Sequence, residues 1–129
     1  MTATVPETVE TLLTSEPLIA HLATSLNDRP HVVPVWYRYA DETVEIVTGG
    51  KKLDNIRMNP RVALSVQKDH AGHTEWMVSL LGTARIVDDE EAFTNANRRI
   101  NAKYGADEDA YEGNTLVRIS VGSANYRTY

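Results

Sequence analysis

The sequence predicts a mainly β protein, an antiparallel barrel of about six strands with two or three short helices. Segments rich in β-favouring residues recur along the chain, and turn-forming residues separate them. The helical segments are short and do not alternate regularly with the strands, as they would in a parallel α/β sheet. The 129 residues fit one compact domain, residues 1–129.

The first half of the chain is predicted to form one short helix followed by three strands. Residues 6–13 form the helix, with Thr4 as its possible cap and acidic residues in its first turn. Its apolar stripe consists of Val5, Val9, Leu12 and Leu13. Strands are predicted at residues 17–26, 31–39 and 43–48, with turns at residues 27–30 and 40–42. Three consecutive antiparallel strands of this kind predict a meander.

The second half begins with a predicted helix at residues 51–58, with Leu53 and Ile56 facing inward and Asn59-Pro60 ending it. Further strands are predicted at residues 61–66, 75–87 and 115–121. The segments between them are predicted as a polar loop at 67–73, a helix at 88–103 and an acidic, solvated loop at 105–114.

Composition excludes several classes of function. The net charge of −5 argues against nucleic acid or an anionic membrane as the main partner. The absence of cysteine excludes disulfides, thiolate catalysis and cysteine-ligated metals. No apolar run approaches the roughly 20 residues of a membrane span, and the first residues lack a signal-peptide pattern. We therefore expect a cytoplasmic protein.

The clearest chemical signal lies at the junction between residues 43–48 and the helix that follows. Gly49 and Gly50 lead into a first helical turn that carries Lys51 and Lys52. Basic residues there oppose the helix dipole, at a cost of about 0.3–1 kcal/mol each. A bound anion would reverse that cost, because free backbone N–H groups and both ammonium groups would face it. The pattern is compatible with an anion site and with a solvated lysine pair, and it matches no P-loop or dinucleotide fingerprint.

A second signal is Pro34, inside the predicted strand at residues 31–39. Proline removes a ladder donor, so we expect this strand to lie at a sheet edge or bulge. A planar heterocycle against such an edge could use the free backbone groups, and Trp36 offers an aromatic wall and an N–H donor. An edge strand with core aromatics explains the same residues without a ligand.

The histidines carry weaker signals. His70 and His73 lie in the polar loop with no third ligand in evident register, so no metal site is predicted. His21 and His31 fall on adjacent predicted strands, where each could be a core residue, a proton donor or an axial ligand to haem. A structural role is the simplest explanation for both.

Five segments form an ordered set along the chain: Leu22-Ala23-Thr24, residues 29–37, the Lys51-Lys52 turn, residues 59–62 and Gly82-Thr83-Ala84. Taken in this order, they resemble the pyridoxamine 5'-phosphate oxidase-like superfamily of FMN-binding split β-barrels. They occur in the family's order and at nearly its spacing, and the resemblance covers about residues 13–121.

The resemblance implies a homodimer with two cofactor sites at the subunit boundary. The strand beside the flavin would be Val32, Val33, Pro34, Val35, Trp36 and Tyr37. Val47 and Thr48 would contact the ribityl-phosphate arm, and Lys51 and Lys52 would hold the phosphate. Trp76 or Met77 falls near a position where the oxidase has a glutamine at the ring, and Tyr126 and Arg127 would reach the partner's flavin.

The short chain and the segment at residues 22–37 are similar to the branch of the superfamily that includes deazaflavin-dependent reductases. The implied cofactor is therefore FMN or a deazaflavin. The implied function is an oxidoreductase of unknown substrate. The alternatives are a non-catalytic protein that stores or senses flavin, and a haem-handling protein in which His21 or His31 ligates iron.

Overall fold

The computed structural model describes residues 4–129, which form three helices and one antiparallel seven-stranded sheet that does not close. In chain order the elements are α1 (Glu7–Leu13), β1 (Ala20–Leu26), β2 (Arg29–Val35), β3 (Arg38–Ala40), β4 (Thr43–Thr48), α2 (Gly50–Met58), β5 (Arg61–His70), β6 (His73–Val87), α3 (Glu90–Lys103) and β7 (Thr115–Thr128). The predicted mainly β class is confirmed.

The strand order in the sheet is β2-β1-β5-β6-β7-β4-β3, so β2 and β3 are its two edges. The predicted edge position of the Pro34 strand is confirmed. Both predicted hairpin pairings form, between β1 and β2 and between β3 and β4. The predicted three-stranded meander is wrong, because β2 and β3 lie at opposite edges and the second neighbour of β4 is β7, from Thr43↔Ser120 to Thr48↔Thr115. Turn residues specify a local hairpin, but they carry no information about a partner strand about 70 residues away.

The predicted strand at residues 31–39 is interrupted at Trp36 and Tyr37, which raises the strand number to seven. Residues at the end of α3 bind both backbone groups of Tyr37. Lys103 Nζ donates to the Tyr37 carbonyl at 2.8 Å, and the Tyr37 N–H donates to Tyr104 Oη at 3.3 Å. With both backbone groups bound outside the sheet, the chain crosses from one sheet edge to the other at this point.

Three two-residue turns close hairpins with both residues in the left-handed region, the geometry that matches strand twist. They are Asn27-Asp28 between β1 and β2, Asp41-Glu42 between β3 and β4, and Ala71-Gly72 between β5 and β6. The first two turns were predicted. The predicted polar loop at residues 67–73 is wrong, because β5 and β6 continue as a paired ladder up to His70↔His73.

The core lies between the inner face of the sheet and the buried sides of α1 and α2, where Leu53 and Ile56 face inward as predicted. The predicted α1 stripe is confirmed, since Val5, Val9 and Leu13 are buried and Leu12 is partly buried. Thr4 does not cap this helix. The N-cap residue is Pro6, and the Thr4 backbone N–H donates instead to the Glu42 carboxylate at 2.9 Å.

The longest pairing joins β6 to β7, with a bulge between Leu81 and Gly82. β7 continues past the predicted end at residue 121, and places Tyr126 opposite Val78 and Arg127 opposite Met77.

No helix within residues 4–129 has the length and apolar character needed to cross a membrane.

Candidate functional site

The opening in the sheet forms the main cleft of the molecule. Among residues 4–129, β2 pairs with β1 alone, and β3 pairs only with the Thr43–Glu45 part of β4. Within the described residues, Ile46, Val47 and Thr48 therefore have no strand partner on the β3 side. The cleft between the ends of β2 and β4 has a volume of about 660 Å³. This size is within the range of small-molecule pockets, roughly 300–1,000 Å³.

The lining of the cleft combines residues from both open edges, the start of α2 and the α3–β7 loop. These residues are Ile19, Pro34, Val35, Trp36, Val47, Thr48, Gly49, Gly50, Lys52, Tyr111 and Asn114. Six of them are among the predicted cofactor-binding residues, namely Pro34, Val35, Trp36, Val47, Thr48 and Lys52. Their convergence gives the cleft one basic end and one aromatic end.

The basic end is the N-terminus of α2. Gly49 is the N-cap residue and makes no side-chain cap hydrogen bond, and the first turn contains no acidic residue. Gly50 has a φ of 71°, a left-handed conformation that favours glycine. Lys52 lines the cleft, while Lys51 is exposed beside it. Uncapped helix N–H groups next to an ammonium group provide the donors and the positive charge that a phosphate requires.

The aromatic end is built on Trp36. Its ring stacks on Tyr104 with a centroid distance of 4.8 Å and an interplanar angle of 2°, and Tyr111 meets it edge-on at 5.6 Å and 87°. Tyr104 is fixed by donating its hydroxyl to the Leu18 carbonyl at 2.5 Å. Burial raises the pKa of Tyr104, so this hydroxyl keeps its proton to a higher pH than an exposed tyrosine does. Trp36 is therefore held as a rigid wall of the cleft.

Tyr111 and Asn114 are functional candidates that the sequence did not reveal, because residues 105–114 were predicted as a solvated acidic loop. The buried amides of Asn97 and Asn101 both donate to the Ala110 carbonyl, at 2.8 and 3.0 Å. Tyr111 follows with a φ of 64°. These hydrogen bonds hold the loop against α3. The Thr48↔Thr115 pairing brings Asn114 to the cleft, and the turn residues of the sequence do not predict such a long-range register. The sequence analysis also did not identify Ile19, just before β1, as a cleft residue.

Seven predicted site residues do not line the cleft of this chain. They are Val32, Val33, Tyr37, Lys51, Trp76, Tyr126 and Arg127. Val32 is exposed on edge strand β2, next to half-buried Val33, and Tyr126 and Arg127 are exposed near the far end of β7. Tyr37 and Trp76 are buried in the core. The Tyr37 hydroxyl donates to the Leu13 carbonyl at 2.6 Å, and burial raises its pKa. A cofactor role for these residues stays a prediction.

None of the histidines lines the cleft in the part of the chain that the structure describes. His21 is exposed on β1, and His70 and His73 flank the β5–β6 turn. His31 is half-buried, and its buried Nδ1 has no hydrogen-bond partner among residues 4–129. Residues 4–129 contain no group of three or more His, Asp or Glu side chains arranged to hold a metal.

Comparison with solved structures finds the same fold in several proteins. An F420 reductase is 27% identical with a TM-score of 0.75, over 94% of this chain and 98% of that one. A FAD-binding protein from Mesorhizobium loti is 24% identical with a TM-score of 0.75, over 91% and 87%. HutZ, a heme storage protein from Vibrio cholerae, is 15% identical with a TM-score of 0.75, over 95% and 93%.

Comparison with curated proteins gave no significant match. The model of the family described as pyridoxamine 5'-phosphate oxidase matches residues 5–126, nearly the whole chain. This match agrees with the ordered segments found in the sequence and with the open antiparallel sheet. The chain belongs to the pyridoxamine 5'-phosphate oxidase family.

Proposed function

We propose that this protein is an oxidoreductase that binds FMN or a deazaflavin in the cleft and works as a homodimer. One observation carries the proposal. The uncapped, basic N-terminus of α2 and the fixed indole of Trp36 face the same cleft of about 660 Å³. An anionic arm with a flat ring at its other end matches both ends of the cleft. The likeness to an F420 reductase supports this class of cofactor.

The residues of the cleft fit such a cofactor. The α2 N–H groups and Lys52 would hold the phosphate, with Lys51 adding charge from the rim. Val47 and Thr48 would lie along the arm, and the β2 end from Pro34 to Trp36 would lie along the ring. When bound, the cofactor supplies hydride transfer. The chain's own residues bind it, orient it and exclude water from one side.

The homodimer is proposed because some predicted cofactor-binding residues do not line the cleft of their own chain. Tyr126 and Arg127 are exposed near the far end of β7 and do not line their own cleft. In a two-fold dimer, the same patch on each chain would complete the site of the other. Exposed apolar side chains on the sheet, Val32 at 65% and Leu81 at 58%, are available to be buried in such an interface.

Two alternatives use the same fold. A haem protein is suggested by the likeness to HutZ, but no histidine in residues 4–129 lines the cleft, and this geometry favours a flavin. A protein that stores or senses flavin would use the same binding residues and differ only in turnover. Tight cofactor binding without reduction by any hydride donor would favour that alternative.

The test is a titration of apo-protein with FMN and, in parallel, with a deazaflavin, followed by the fluorescence of each cofactor. Lys51→Glu/Lys52→Glu should weaken binding by about 100-fold or more, because two charge-assisted contacts become repulsive. The control Arg29→Glu/Arg57→Glu changes the net charge equally at exposed positions outside the cleft. It should bind as the wild type does. Undiminished binding by the lysine variant would overturn the phosphate assignment.

A further inference from the structure

A second cavity, of about 350 Å³, lies between the end of α1, β3 and the end of α3. It is separate from the cleft, and the two share no lining residue. Two cations line it: Lys103 from the last turn of α3 and Arg38 from β3. A cavity of this size is at the small end of the range for ligand pockets, roughly 300–1,000 Å³.

Lys103 has no ion-pair partner among the residues that the structure describes. Its Nζ donates to the Tyr37 carbonyl at 2.8 Å and lies 3.8 Å from the centroid of the Tyr37 ring. An ammonium group has three N–H donors, so the carbonyl accounts for one of them. Burial, and after it the charge of Arg38, lower the pKa of Lys103 to about 8.

Arg38 also retains free donors. Its Nη1 donates to Glu45 at 2.8 Å, which accounts for one of the five N–H donors of a guanidinium group. Glu16, the acid in the lining, is paired with Lys68 at 2.7 Å. Glu10 accepts the neutral Tyr39 hydroxyl at 2.7 Å and keeps its negative charge behind that ring. The charged residues of the lining are Arg38, Lys103 and Glu16, so the lining itself has one net positive charge.

We infer that this cavity is a second anion site, which takes a small molecule bearing a carboxylate or phosphate group, with Lys103 and Arg38 as its ligands. An oxyanion would satisfy the free N–H donors of both side chains. It would also remove the repulsion between the two cations. The inference is independent of the proposed cofactor.

The site is connected to the cleft through Tyr37. Lys103 holds the Tyr37 carbonyl, and the next residue, Tyr104, accepts the Tyr37 N–H and stacks on Trp36. An anion that draws the Lys103 ammonium toward the cavity would lengthen its hydrogen bond to the Tyr37 carbonyl and shift the Tyr104 ring that stacks on Trp36. We therefore expect the occupied site to change the fluorescence of Trp36, with Trp36→Phe as the control that removes the change.

The experiment uses the Lys51→Glu/Lys52→Glu protein, in which Lys68 and Lys103 are the remaining lysines. The side-chain NMR signals of both are followed against pH, with and without inorganic sulfate or acetate. Lys68→Arg assigns the signal of Lys103 and keeps a cation beside Glu16. A saturating anion should raise the pKa of Lys103 by about one unit, because the anion binds the protonated amine about tenfold more tightly than the neutral amine. Lys68 should not respond.

The other titratable groups that face the cavity are Arg38, Tyr39 and Glu16. Behind them lie Glu10 and Glu42 next to Tyr39, and Glu45 paired with Arg38. Arg38→Gln should abolish the effect of the anion while the Lys68 signal confirms the fold. A response to sulfate alone indicates a phosphate-like ligand, and a response to acetate alone indicates a carboxylate. An unchanged Lys103, or equal shifts of Lys68 and Lys103, would overturn the inference.

Discussion

Lys52 lies at the start of α2 and Lys103 at the end of α3, so the two helix dipoles act on their charges in opposite senses. Lys52 stands in the first turn of α2, where the helix dipole opposes its charge and an anion would compensate it. Lys103 is in the last turn of α3, where the dipole favours a cation. Burial nevertheless lowers the pKa of Lys103 to about 8, because desolvation outweighs that favourable end of the helix. Both positions leave N–H donors for an oxyanion.

The lowered pKa of Lys103 predicts a pH dependence of stability. Between pH 8 and the ordinary lysine value of 10.5, the unfolded chain binds more protons than the folded one, so stability rises with pH. The raised pKa values of Tyr37 and Tyr104 act oppositely above pH 10, where the unfolded tyrosines ionise first. Urea unfolding at pH 7 and 9.5 should show wild type gaining about 1 kcal/mol relative to Lys103→Met, after allowance for screening. Parallel changes in the two proteins would contradict this assignment.

At the residue scale, the sequence predicted those cleft-lining residues whose signal is local. A proline in a strand and a lysine pair after two glycines are anomalies within a few residues, and Pro34, Trp36 and Lys52 do line the cleft. Tyr111 showed no such anomaly. Its position depends on two buried asparagines from α3 and on a register set by β7, which are contacts between distant parts of the chain.

At the element scale, the bulge between β6 and β7 shapes the long central pair of strands. A Cβ added at Gly82 would lie 2.6 Å from the Ser120 carbonyl oxygen and 2.8 Å from Ile119 Cγ2. The neighbouring strand therefore approaches too closely for any side chain. Gly122, on the facing strand, would place its Cβ 3.6 Å from the Leu81 carbonyl oxygen, which is an ordinary contact.

This difference predicts unequal effects of two similar substitutions. Gly82→Ala should lower the free energy of unfolding by about 1–3 kcal/mol, because backbone atoms must move apart. Gly122→Ala should be near neutral, since the new methyl group meets no close contact. Urea unfolding of both variants measures the difference. Equal losses in the free energy of unfolding would show that the close approach at Gly82 is not what destabilises the Gly82→Ala variant.

The elements themselves were largely predictable, while their pairing was not. Asn27-Asp28 and Asp41-Glu42 are turn formers, and both adopt the predicted turns. The interruption after Val35 has no signal in its own segment, because it is imposed by Lys103 and Tyr104 from α3. Since that interruption sends β3 to the far edge, the meander expected from the sequence does not form.

At the scale of the whole molecule, an acidic protein presents a basic cleft where its sheet fails to close. The net charge is −5, yet the α2 end of the cleft has two lysines and no acid in the first turn. This contrast favours binding of an anionic small molecule over a large polyanion. Tyr126 and Arg127 are exposed near the end of β7 and do not line the cleft of their own chain; in the proposed homodimer they would reach the cleft of the partner.

Sedimentation velocity followed at the absorbance of the bound cofactor tests the shared site most directly. FMN or a deazaflavin added to the protein should sediment with a species of dimer mass. On dilution below the dimer's dissociation constant, the cofactor should be released as monomers appear. A monomer that sediments with its cofactor, or a dimer that retains neither cofactor, would contradict the account.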